Sequence, residues 1–194
     1  TTYVQNYAEN GSSSLISETG KVEIVSFESW ALYNYHDLTV SAADTIYLES
    51  IGSNALDGNK GNLTLTAPNG ITIKTPSYTS YVWDKFTATA TNGAITVYGS
   101  LYTGEFDIRA KDDVTVNGGY IECHNSDGEG SIVSETGSVK INSTTYALRV
   151  NGTMDIVAAN IIEIKSIDTS GTTMIAGSGS LNLTAPNGIT LDTT

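Results

Sequence analysis

The chain has 194 residues, with 9 Lys and Arg against 21 Asp and Glu, for a formal charge of −12. So few basic groups exclude a binder of phosphate backbones, which draws its affinity from clustered Lys and Arg, and a single cysteine excludes an intrachain disulfide. No apolar run is long enough for a membrane-spanning helix, and a chain rich in Thr, Ser, Asn, Ile and Val with 19 Gly and 3 Pro favours strands and turns.

Eight segments share one pattern along the chain: LISETGKVEI, LTVSAADTIYL, LTLTAPNGITI, FTATATNGAITV, FDIRAKDDVTV, IVSETGSVKI, MDIVAANIIEI and LNLTAPNGITL. The first apolar residue after each turn serves as an anchor: Val22, Ile46, Ile71, Ile95, Val114, Val139, Ile162 and Ile189. Successive spacings are 24, 25, 24, 19, 25, 23 and 27, averaging about 24 residues, a solenoid period. A second apolar residue follows each anchor by two, from Ile24 to Leu191, so each copy predicts a strand with one buried face.

A short strand precedes each turn, with Val40, Leu65, Ile108, Ile156 and Leu183 as inward candidates. Two positions before the anchor stands Gly20, Asp44, Asn69, Gly93, Asp112, Gly137, Asn160 or Asn187. These residue types tolerate turns and left-handed backbone, which predicts a corner there. Ala42, Ala67, Ala110, Ala158 and Ala185 suit its tight interior angle. A third apolar segment, about fourteen residues before the anchor, reads ALYNY, NALDG, YVWDK or YALRV.

Three strands per repeat predict an all-β, right-handed parallel β-helix of about eight coils, about 38 Å long at the usual strand spacing. A pile of hairpins is the competing arrangement, but a 24-residue recurrence stacks like on like. The offsets of 117 between the SETG segments and 118 between the LTAPNGIT segments mark a duplicated block of five coils. The chain opens on TTYVQNY and stops on GITLDTT in mid-pattern, so residues 1–194 read as one solenoid domain excised from a longer repeat protein.

Candidates for chemistry are few. Asp107, Arg109 and Asp113 in FDIRAKDDV would matter in a polysaccharide-acting β-helix enzyme, although strand alternation and the corner already account for them. Glu122, Asp127 and Glu129 offer oxygens for Ca²⁺ but lack the D-x-D-x-D-G order, and a solvated loop is the reading. His36 and His124 fall about four coils apart, too far to share a metal. Cys123 and His124 are adjacent and point to opposite faces of an extended segment, which disfavours a nucleophile and base. A threonine column, Thr72, Thr96 and Thr115, is interrupted by Glu23, Tyr47, Lys140 and Glu163 and is not a flat ice-binding face. No cofactor motif or metal site is expected.

Eleven tyrosines and two tryptophans against three phenylalanines are more informative. With Leu32, Leu56, Val82 and Leu148 inward, alternation turns Tyr33, Tyr35, Asp57, Tyr81, Trp83 and Arg149 outward on one flank, and Tyr102 extends it. Tyr33, Tyr35, Tyr81, Trp83 and Tyr102 are therefore the expected ligand-binding residues, flat rings suited to stacking on a sugar or gripping a protein.

The repeat, carried best by residues 55–75 and 146–166, resembles the β-helical passenger regions of Gram-negative autotransporter-type secreted adhesins. The resemblance implies a non-catalytic stalk at the bacterial cell surface that binds a glycan or a surface protein, with self-association as a further partner mode. Neither nucleic acid nor membrane insertion is expected of this fragment.

Overall fold

The computed structural model describes residues 4–6, 11–58, 60–166, 174–176 and 180–193. Among these residues there is no helix, and every strand pairing is parallel. The hairpin alternative is thereby excluded. The chain is a β-solenoid with, among the described residues, three ladders of strands, each joined by seven pairings.

The anchor ladder begins at Val22–Ser26 and Thr45–Ser50, passes through the starts of the long strands Gly70–Ala90 and Ala94–Ala110, and ends at Ile189–Thr193. Its register places Val22, Ile46, Ile71, Ile95, Val114, Val139, Ile162 and Ile189 over one another. The apolar residues two positions on form a second pile. Between them, Glu23, Tyr47, Thr72, Thr96, Thr115, Lys140, Glu163 and Thr190 face outward as one mixed column. In the middle ladder, Leu15, Val40, Leu65, Ala88, Ile108, Ile132, Ile156 and Leu183 pile up in the same way.

Stacking makes the core, because each inward side chain is covered above and below by its equivalents. Ile71, Ile95, Leu65 and Ile108 are fully buried, and burying one such side chain contributes about 1.5–3 kcal/mol. In the last coil Ile189 and Leu191 occupy the same inward positions yet remain half-exposed. A coil acquires its interior only from its neighbours.

The corners differ from expectation in one respect. Asp44, Asn69, Asp112, Asn160 and Asn187 do lie at the bends, each bonded through backbone to the equivalent residue one rung back. None of them is left-handed, since no described non-glycine residue has positive φ. At Asn69 and Asn187 that conformation falls on the following residues, Gly70 (φ 138°) and Gly188 (φ 132°). A corner redirects the strand without reversing it, so it does not require a left-handed residue each time. The amide preference has another cause: Asn69 Nδ2 donates to Asp44 Oδ1 at 2.9 Å, and Asn187 Nδ2 to Asn160 Oδ1 at 3.0 Å. These side chains form ladders of their own.

The 19-residue spacing between Ile95 and Val114 also has a structural basis. Ala94–Ala110 runs as one unbroken strand through two bends. Against the previous rung it pairs Tyr98 with Lys74 and then Ser100 with Thr79, omitting the extra corner residues of its neighbour.

Candidate functional site

The third ladder forms the flank that the sequence singles out. It includes Leu32–Asn34, Leu56–Gly58, parts of the two long strands, Ile121–Cys123 and Leu148–Val150. Its register gives one outward column of Tyr33, Asp57, Tyr81, Tyr102, Glu122 and Arg149. Tyr33 and Tyr81 thus share a column, as alternation predicts, and Tyr102 extends it. Val82 is inward, but it stacks with Gly58, Thr103 and Cys123, whereas Ser80 aligns with Leu101 of the Leu32 type of position.

Among the described residues the rings of this flank fall into three groups: two separated by the rung of Asp57, and beyond them the pair Tyr120 and Tyr146, centroids 4.6 Å apart. In the first, Trp30 lies over Tyr33, centroids 4.8 Å apart, and Tyr35 follows at 6.1 Å from Tyr33. The expectation of an exposed ring fails at Tyr33, which is 9% exposed because Trp30 covers it. Tyr35 remains 37% exposed. Burial pushes the Asp57 carboxyl up, against an opposing hydrogen bond from Trp30.

The second group brings Tyr81, Trp83 and Tyr102 together and adds His124. Tyr81 and Tyr102 are 5.4 Å apart, and Trp83 meets Tyr102 at 5.8 Å with its plane 71° away. His124 stacks flat on Tyr102, at 4.6 Å and 10°, and Trp83 stands edge-on to it at 5.2 Å and 78°. The four rings form an L, a stacked pair with Trp83 nearly perpendicular to both. Trp83 is the most open member, 44% exposed.

Trp83 owes its position to a local irregularity. Val82 pairs with Thr103 and Lys85 with Glu105, so Trp83 and Asp84 together oppose the single residue Gly104. The extra residue bulges outward and leaves Trp83 exposed. A Cβ on Gly104 would lie 2.3 Å from the Trp83 carbonyl oxygen, so only glycine fits beneath the bulge.

Beyond the rings, Glu122 is held by Arg149 at 3.3 Å and by the Tyr146 hydroxyl, which donates at 3.0 Å. Burial and this carboxylate push the Tyr146 phenol up strongly, and burial with the Glu122 charge also raises Tyr102. Glu122 is therefore committed away from Asp127 and Glu129. Among the described residues no three His, Cys, Asp or Glu side chains converge as a metal site would require.

The remaining candidates do not assemble. Arg109 lies 3.8 Å from Glu135, while Asp113 accepts from the Ser138 amide at 2.7 Å and faces Lys140 at 3.5 Å. All three partners lie one rung on, which makes these contacts rung-to-rung staples. Cys123 is buried and donates from Sγ to the Gly104 carbonyl at 3.1 Å, and burial pushes its thiol up to about 11. A thiol so held is a poor nucleophile at neutral pH.

No family model, curated protein or solved structure matches this chain.

Proposed function

We propose that this solenoid is a non-catalytic segment of an extracellular, autotransporter-type adhesin that binds a glycan through the flank carrying Tyr81, Trp83 and Tyr102. The observation that carries the reading is the L of aromatic rings, with Trp83 raised on a bulge and left open. Aromatic faces stack on the C–H faces of sugar rings, while tyrosine hydroxyls supply hydrogen bonds at the rim. The acidic composition and the repeat-level resemblance to secreted passenger regions support the cell-surface setting. A flank displayed on a rod, with reactive groups tied into neighbouring rungs, suits capture better than turnover.

Glycan-array binding by the intact chain and by the Tyr81→Ala/Trp83→Ala double variant tests this, with circular dichroism to show that the variant is folded. Retention on a defined glycan subset that the double variant loses is the expected result. Cleavage products from incubated polysaccharides, or retention on surface proteins alone, would overturn it.

A further inference from the structure

We infer that the aromatic L is one wall of a longer site, and that the polar groove beside it selects amine-bearing or neutral sugars over acidic ones. This inference rests on the glycan-binding reading above. A groove of about 190 Å³ is lined by Asn62, Asp84, Lys85, Glu105 and Asn125. It shares Glu105 and Asn125 with an adjoining groove of about 260 Å³ that reaches Asp127. The backbone joins both to the rings, since Trp83 immediately precedes Asp84 and His124 immediately precedes Asn125.

The chemistry of the lining identifies the ligand class. Asp84 accepts the Gly61 amide at 2.6 Å, and Asn62 accepts the Lys85 amide at 3.3 Å, so these two help to shape the loop. Glu105 and Asp127 make no ion pair or side-chain hydrogen bond among the described residues, and neither does the Lys85 ammonium. Elsewhere the chain repeatedly spends its scarce cations on carboxylates, as at Glu49, Asp113, Glu122 and Glu135. In this groove three carboxylates, Asp84, Glu105 and Asp127, face one cation, Lys85. Carboxylates accept hydrogen bonds from sugar hydroxyls and form charge-assisted bonds with a sugar ammonium. They repel a uronate or sulfate.

The test compares oligomers of glucosamine, N-acetylglucosamine and galacturonate, of equal length, by calorimetric titration. Four proteins are titrated: the intact chain, Trp83→Ala, Glu105→Gln/Asp127→Asn, and the remote Glu18→Gln/Glu28→Gln variant as a control for net charge. The intact chain is expected to bind glucosamine oligomers best and galacturonate oligomers worst. Loss of the two groove carboxylates should weaken the glucosamine oligomer about tenfold, the scale of one charge-assisted contact, and flatten its salt dependence. The remote pair should change nothing. Equal weakening by the remote pair, or equal affinity for galacturonate, overturns the inference. If Trp83→Ala abolishes binding while the groove variant matches the intact chain, the groove is not part of the site and the aromatic reading stands. Binding of none of the three oligomers overturns the inference, and the glycan array alone then decides the aromatic reading.

Discussion

The Glu122 carboxylate, only 4% of its side chain exposed, is neutralised by the Arg149 guanidinium one rung along, 3.3 Å away. Arg149 is itself 43% exposed, but removing it leaves the buried Glu122 carboxylate with the Tyr146 hydroxyl and no counter-charge, whereas removing both leaves no buried charge. Arg149→Ala should therefore lower stability by about 1–3 kcal/mol. Arg149→Met combined with Glu122→Leu should recover most of that loss. Urea midpoints of the two variants decide it, and equal losses would show that the pair is not coupled.

Rung spacing also leaves its mark on glycine. A Cβ at Gly119 would sit 2.2 Å from the Gly99 carbonyl carbon and 2.4 Å from the Ser100 nitrogen, all backbone of the rung before. Gly119→Ala must push two rungs apart and should cost about 1–3 kcal/mol or more. At Gly20 the nearest atom is 3.9 Å away, and Gly20→Ala should stay within about 0.5 kcal/mol of the parent. Thermal melts of both proteins provide the comparison.

Position along the rod should set the cost of a core truncation. Ile95 is covered on both sides, so Ile95→Ala should lose about 2–5 kcal/mol. Leu191, half-exposed in the last coil, should lose about 1 kcal/mol or less when truncated to Ala. Similar losses at both sites would contradict the dependence of each coil on its neighbours.

Alkaline pH should weaken the fold through Cys123. Its thiol is raised from 9.0 to about 11 by burial, so between these values the unfolded chain has released a proton that the folded chain still holds. Stability then falls as pH climbs through this window, with no contribution below it. Tyr146, Tyr102 and Tyr47 are raised as well and add the same sign at higher pH. Cys123→Ala should lessen the decline in urea midpoint between pH 9 and 11. At pH 8 the folded protein should also resist iodoacetamide, and urea should restore labelling.

Much of this architecture was legible because one rule is written eight times. An apolar anchor and its partner two residues on fix strand, facing and register together, and the piles from Val22 to Ile189 follow. Alternation likewise placed Tyr33 and Tyr81 in one outward column, which Tyr102 extends. The burial of Tyr33 is not legible from alternation, since the position before each Ala-Leu pair varies in type, Trp30, Asn54 and Tyr146, and only in the first does a ring cover a tyrosine of the column. The sequence around His124 speaks only to a metal ligand or a base and favours neither, yet His124 completes the aromatic L. The signal that could have found it is the pairing of Thr103 with Cys123, which sets His124 beside the Tyr102 rung. That pairing joins the short coil between Ile95 and Val114 to the next, where an average period misaligns the copies. The preference for Asn and Asp at corners was visible, but its cause, amide ladders between rungs, needed coordinates.

The bulge at Trp83 disturbs nothing downstream, because Lys85 and Glu105 resume the common register at once. Corner length is therefore a free variable in this molecule, while the apolar piles are not. A rod built this way can lengthen or shorten its corner loops one at a time while the core that folds it stays the same.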